Sequence, residues 1–96
     1  MPRVIVTPRA LADLDELIEV LGLPPTTRSR VQRSLRVLER FPLAGRALHG
    51  RWSGMRFLIG PWPWMILVYV HEPADDAIAI VAVHDGRSST AASHDR

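Results

Sequence analysis

The sequence contains no cysteine, and every one of its twelve basic residues is an arginine. Without cysteine there is no disulfide framework, no thiolate metal site and no thiol nucleophile, and a reducing compartment is compatible with the chain. Without lysine, all positive charge sits on planar guanidinium groups, which suit bidentate partners such as carboxylate or phosphate. Long hydrophobic runs are also missing. The most apolar stretch, Phe57 to Val70, is broken by Pro61 and Pro63 and falls short of the roughly 20 residues that a membrane helix needs. It reads as core, and no membrane association is expected. The apolar run Val4 to Val6 gives way to charge within a few residues, so no secretory leader is expected and the expected location is cytoplasmic. No Gly-rich phosphate loop, nucleophile elbow or zinc-protease motif is found. The histidines, His49, His71, His84 and His94, are scattered. Neither a metal nor a small-molecule cofactor is therefore expected.

What is present is an ordinary globular composition, 47% hydrophobic and 23% charged over 96 residues, which predicts one domain with a modest core. The net charge of +2 hides a strong asymmetry. Residues 1–23 are acidic through Asp13, Asp15, Glu16 and Glu19, and residues 61–96 are acidic through Glu72, Asp75, Asp76, Asp85 and Asp95. Residues 24–60 carry eight arginines against Glu39 alone. Guanidinium groups gathered in this way suit phosphate or carboxylate.

The pattern predicts the element order β-α-α-β-β-β. Arg3 to Val6 reads as a strand, with Thr7 and Pro8 as N-cap and first helical residue. Over Arg9 to Leu21, Leu11, Leu14, Leu17, Ile18 and Leu21 fall on one helical face and the acidic residues on the other. Gly22 ends that helix. A second helix is predicted from Thr27 to Phe41, with Val31, Leu35, Leu38 and Phe41 inward, Arg33, Arg36 and Arg40 outward, and Pro42 as its stop. After a Gly- and Arg-containing loop, strands are predicted at Met55 to Ile59, Trp64 to His71 and Ala77 to Asp85, joined by turns short enough for an antiparallel meander. The expected fold is therefore α+β, an antiparallel sheet packed against a helical hairpin. Residues 1–87 form the domain, and 88–96 are expected to be a flexible polar tail.

Candidate functional residues come from the arginine-rich centre and from the end of the last strand. Arg46 and Arg51 on the loop and Arg56 on the strand after it are candidates for binding nucleic-acid phosphate. If His84 and Arg87 share a groove with Arg56, His84 can transfer a proton while the two arginines stabilise a phosphate gaining charge. The competing interpretation is a His-Asp-Gly-Arg turn in which Arg87 simply pairs with Asp85. Trp64 reads as core, and Trp62 as either core or an aromatic contact for a partner.

The residues Thr7-Pro8-Arg9-Ala10, Asp13-Leu14, Leu35 with Leu38-Glu39 before Phe41-Pro42, Gly45-Arg46-Ala47-Leu48, Trp52-Ser53-Gly54-Met55-Arg56, Ile66-Leu67-Val68-Tyr69 and Val83-His84-Asp85-Gly86-Arg87 resemble RelE/ParE-type toxins. The resemblance runs over nearly the whole chain up to Arg87. It implies the toxin half of a type II toxin–antitoxin pair, neutralised by a cognate acidic antitoxin that wraps it. In the RelE-like branch the toxin cuts mRNA on the ribosome without a metal, and the resemblance assigns catalysis to Arg56, His84 and Arg87. Three positions depart from that branch. Leu58 is apolar where a second basic residue is expected, Met65 stands where the strand arginine would be, and no aromatic follows Arg87. In the ParE-like branch the toxin poisons DNA gyrase and needs no catalytic constellation. The expectation is a RelE-like endoribonuclease, with a gyrase inhibitor or a non-toxic antitoxin-binding module as alternatives.

Overall fold

The computed structural model describes residues 1–87, so the expected polar tail, 88–96, lies outside the described residues. The chain begins with strand β1, Arg3–Val6, and turns directly into helix α1, Pro8–Leu21. Thr7 is the N-cap: its hydroxyl oxygen accepts the Ala10 amide at 3.3 Å, while proline fills the first helical position, where no amide is needed. Gly22 ends the helix in the left-handed region (φ 62°), which lets its own amide and that of Leu23 reach the Ile18 carbonyl.

Where one helix was expected from Thr27 to Phe41, there are two short ones, α2 (Thr27–Leu35) and α3 (Val37–Arg40). The chain tightens at Arg36, whose amide bonds to Arg33 and whose carbonyl accepts from Glu39, both with three-residue spacing. Val31, Leu35 and Leu38 nevertheless stay on one inner face and are buried. Phe41 leaves it: Pro42 disfavours helical geometry in the residue before it, Phe41 takes φ −128° and ψ 78°, and the residue is 61% exposed.

Strands β3 (Arg56–Ile59), β4 (Met65–Glu72) and β5 (Ala77–Asp85) form the expected antiparallel meander. The structure adds two features. A two-residue strand β2, Arg46–Ala47, emerges from the expected loop and pairs with β3. In addition β1 lies parallel to β5, which makes the five-stranded sheet mixed, in the order β1-β5-β4-β3-β2. The helical crossover between β1 and the meander is what permits parallel pairing.

The helices cover one sheet face. Ala10, Leu14, Val31, Leu35 and Leu38 pack there against Met65, Leu67, Tyr69, Ile78, Ile80 and Val83. The opposite face carries Phe57, Ile59, Ile66, Val68, Val70, Ala79, Ala82 and His84 and stays partly open.

Three devices hold the ends of this sheet. In β5, Val81 is an extra residue: Ile80 pairs with Tyr69 and Ala82 with Val68, so the strand bulges between them. Beyond Val6, where β1 has ended, side chains take over the free edge of β5. The Thr7 hydroxyl donates to the Ile80 carbonyl at 2.7 Å, and the Val83 amide donates to Asp13 Oδ2 at 3.1 Å. Asp13 therefore does not belong to the solvated acidic face where helical periodicity placed it. At the other end, the fully buried Tyr69 hydroxyl donates to the Pro42 carbonyl at 2.8 Å and accepts the Gly45 amide at 2.9 Å, anchoring the loop before β2.

Candidate functional site

Residues directly opposite one another in a sheet share a face, so the register decides which candidates meet. Arg56 lies across from Tyr69, whose ring is in the helix-covered core. His84 lies across from Ile66, on the open face. The single groove that the sequence offered as one reading of Arg56, His84 and Arg87 is not formed, because Arg56 and His84 stand on opposite faces. At the edge of the sheet Arg56 runs past the end of the core and back to the loop before β2. There Nη1 donates to the Gly45 carbonyl at 2.8 Å and approaches the Leu43 carbonyl at 3.4 Å.

Arg87 is held more firmly. Nε and Nη2 donate to the two carboxylate oxygens of Asp85 at 3.0 and 2.9 Å, and the Arg87 amide donates to Asp85 Oδ1 at 2.9 Å. This is the Arg87–Asp85 pairing that the sequence offered as the competing interpretation. The hydrogen bonds to Asp85 raise the Arg87 pKa above its ordinary value, against a smaller lowering by desolvation. The guanidinium also lies over the Trp64 ring, 4.5 Å from its centroid. Trp64 stacks on Trp62 with centroids 6.1 Å apart and planes 27° apart, and Arg30 of α2 lies over Trp62 at 4.8 Å. A continuous Arg30–Trp62–Trp64–Arg87 stack thus ties the helical layer to the end of β5. Sequence reasoning missed this stack. Its only signal was the spacing of two tryptophans around Pro63, and that spacing does not name the arginines.

Of the remaining candidates, Arg46 faces the open side across from Phe57 on edge strand β2. Three strand spacings of roughly 4.8 Å separate it from β5, about 14 Å in all. Arg51 sits exposed in the short turn Gly50–Trp52. Among the described residues neither makes an ion pair, and His84 has no hydrogen-bonded carboxylate to orient it as a base.

Beside Arg87 the open face dips into a shallow concavity of about 510 Å³, lined by Ile59, Pro63, Trp64, Ile66, Gly86 and Arg87. It is apolar except for the guanidinium. This chemistry suits binding: one oriented cation beside a greasy floor, with no paired acid and base.

Three comparisons place this architecture among known proteins. The family model described as the ParE toxin of the type II toxin–antitoxin system parDE matches residues 4–89. No curated protein matches the chain. Among solved structures, the chain is similar to one in the RelBE2 toxin–antitoxin complex of Mycobacterium tuberculosis, with TM-score 0.67 and 23% identity over 88% of this chain and 90% of that one. It is also similar to a copper-bound mutant toxin of Helicobacter pylori, with TM-score 0.64 and 20% identity over 92% of this chain and 98% of the other. A conserved hypothetical protein from H. pylori gives TM-score 0.57 and 19% identity, over 91% of this chain and 97% of that one. At these identities the structural likeness carries the fold alone. The family match spans nearly all of the described chain, and on that ground the chain belongs to the ParE toxin family of type II toxin–antitoxin systems.

Proposed function

We propose that the chain is a growth-inhibiting toxin that acts by binding its target rather than by cutting RNA, with DNA gyrase as the target and an acidic antitoxin as the neutralising partner. The observation that carries this reading is the division of the catalytic candidates. Arg56 serves loop carbonyls on one face of the sheet, His84 stands on the other, and the Arg87 fork is filled by Asp85. Transition-state stabilisation needs its groups converged on one reacting centre, and these are not. The open, largely apolar sheet face and the exposed arginines of residues 24–60 suit a protein partner.

The test is induced expression without antitoxin, followed by two readouts. The expected result is growth arrest with a DNA-damage response, inhibition of supercoiling by purified gyrase, and intact mRNA. Rapid mRNA cleavage that His84→Ala abolishes would overturn this reading in favour of the endoribonuclease. That second reading draws on one observation: His84, Arg87 and Arg46 all lie on, or border, the open face.

A further inference from the structure

We propose that the exposed ridge of Arg33, Arg36 and Arg40 on helices α2 and α3 is a further binding surface, one that holds the phosphate backbone of duplex DNA without reading its bases. At about 100° per residue the three arginines fall within about 60° of one another, and Ser29, one turn earlier, falls in the same sector. The tightened turn at Arg36 does not break the ridge. Val31, Leu35 and Leu38 stay buried on the inner side across it, so the residues opposite them stay together on the outer side. All three arginines are exposed, and among the described residues none forms an ion pair, not even with Glu39, the one acid of these two helices. Their neighbours are committed elsewhere: Arg28 is taken by Asp15 at 2.6 Å, and Arg30 lies over Trp62.

Length and composition single out the ligand. From Arg33 to Arg40 the ridge runs about 10 Å along the helix axis, and about 10 Å of duplex carries about three phosphates on each strand. Guanidinium groups match phosphate oxygens in geometry as well as charge. A protein partner fits this ridge less well. Protein interfaces gather apolar and aromatic side chains at the centre and leave charge to the rim, whereas here arginine forms the centre. Val37 only flanks it, and Phe41 and Leu43 come after its end, in the loop before β2. Backbone contacts of this kind position a duplex and carry no sequence information. The rest of the chain steers the approach, because the acids of α1, Asp15, Glu16 and Glu19, and those between β4 and β5, Asp75 and Asp76, repel a polyanion. The ridge lies on the outer side of the helical layer, away from the open sheet face. A protein target on that face and a duplex on the ridge can therefore be held together. Which duplex is met in the cell rests on the gyrase reading above; the affinity for a phosphate backbone does not.

Salt dependence supplies the test, because each phosphate neutralised releases counterions. The probe is a fluorescein-labelled DNA duplex of about 20 base pairs, titrated with the whole chain and read by anisotropy from about 50 to about 150 mM salt. The expected plot of log K against log salt has a slope of about −2.7, three contacts at about 0.9 each, so binding weakens about twentyfold over that range. Each of Arg33→Gln, Arg36→Gln and Arg40→Gln should flatten the slope by about 1, and the triple variant should bring it near zero. Glutamine keeps helix propensity, and circular dichroism checks the fold. Arg9→Gln on α1 removes one charge away from the ridge and should leave the slope unchanged. Unlabelled duplex should displace the probe at lower concentration than single-stranded RNA or a polyglutamate peptide of equal charge. A triple variant that binds as the unaltered chain does, a slope loss shared by Arg9→Gln, displacement by RNA or polyglutamate as effective as by duplex, or no saturable binding at about 50 mM salt would each overturn the proposal. Duplex affinity is read on the isolated chain. A chain that inhibits gyrase yet has no duplex affinity defeats this inference alone, whereas duplex affinity in a chain that leaves gyrase untouched defeats only the proposed function.

Discussion

Removing one oxygen atom, in Tyr69→Phe, tests how the loop before β2 is held. The ring is fully buried and its hydroxyl is the shared partner of two backbone groups, the Pro42 carbonyl at 2.8 Å and the Gly45 amide at 2.9 Å. Phenylalanine fills the same space, so the loss is confined to these bonds. Gly45 is buried, and a buried amide left without an acceptor costs about 1–3 kcal/mol. The Pro42 carbonyl is only part-buried and can recover a water, which limits its share to about 0.5–1 kcal/mol. These ranges sum to about 1.5–4 kcal/mol, with about 2–3 kcal/mol as the central expectation. Against a total stability of about 5–15 kcal/mol this is large, and for a domain of this size it lowers Tm by about 10–20 °C. Urea unfolding followed by circular dichroism measures it, with an unchanged m-value as the sign that only stability moved. A loss below about 0.5 kcal/mol, the range of an ordinary surface change, would refute the claim that this hydroxyl anchors the loop. Gly45→Ala probes the same place by crowding. A Cβ there would come within 2.6 Å of the Phe57 carbonyl and 2.7 Å of the Tyr69 ring, neither of which can yield. Its cost should be at least as great.

Further outcomes follow from neighbouring contacts. Arg56→Ala removes the hydrogen bond to the Gly45 carbonyl and should cost about 1 kcal/mol; in growth assays its toxicity should recover at lower temperature, as expected of a structural residue. Asp13→Ala strips the Val83 amide of its acceptor and should cost about 1–2 kcal/mol in denaturant unfolding, while Asp13→Asn, which keeps an oxygen there, should regain most of it. Gly22→Ala meets no atom but forces alanine into a left-handed backbone, a loss of about 1 kcal/mol measurable as a fall in Tm. His84→Ala should leave stability unchanged, and mRNA cleavage that this substitution abolishes with the fold intact would count against a binding toxin.

The α+β class, the first helix and the β3–β5 meander were legible because their signals are local: capping at Thr7 and Pro8, a 3.6-residue apolar stripe on α1, and turn residues between apolar runs. The pairing of β1 with β5 was not. It joins residues more than 70 positions apart, Val4 with Ile78 for example, and no local pattern encodes it. The short strand β2 was hidden for a related reason, since its pairing depends on β3 being in place. The break at Arg36 was invisible because Val31, Leu35 and Leu38 remain in phase on either side of it.

The placement of the candidate residues turned on parity. In β3 the alternation of Arg56 with Phe57 suggests an arginine turned to solvent and a phenylalanine turned inward, yet the register places Arg56 on the Tyr69 side and Phe57 on the open side. The arginine is tolerated there because the core thins at the edge of the sheet and loop carbonyls replace water around its guanidinium. In β5 both parities are apolar from Ala77 to Val83, so the sequence carries no mark of the extra residue at Val81. Without that bulge, His84 would stand across from Met65, on the helix-covered face shared with Arg56; with it, Val83 turns into the core and His84 faces outward. Asp13 takes up the Val83 amide beyond the end of β1, two residues past the bulge. One acidic residue on the first helix thereby satisfies the stretch of β5 that leads to the outward-facing histidine.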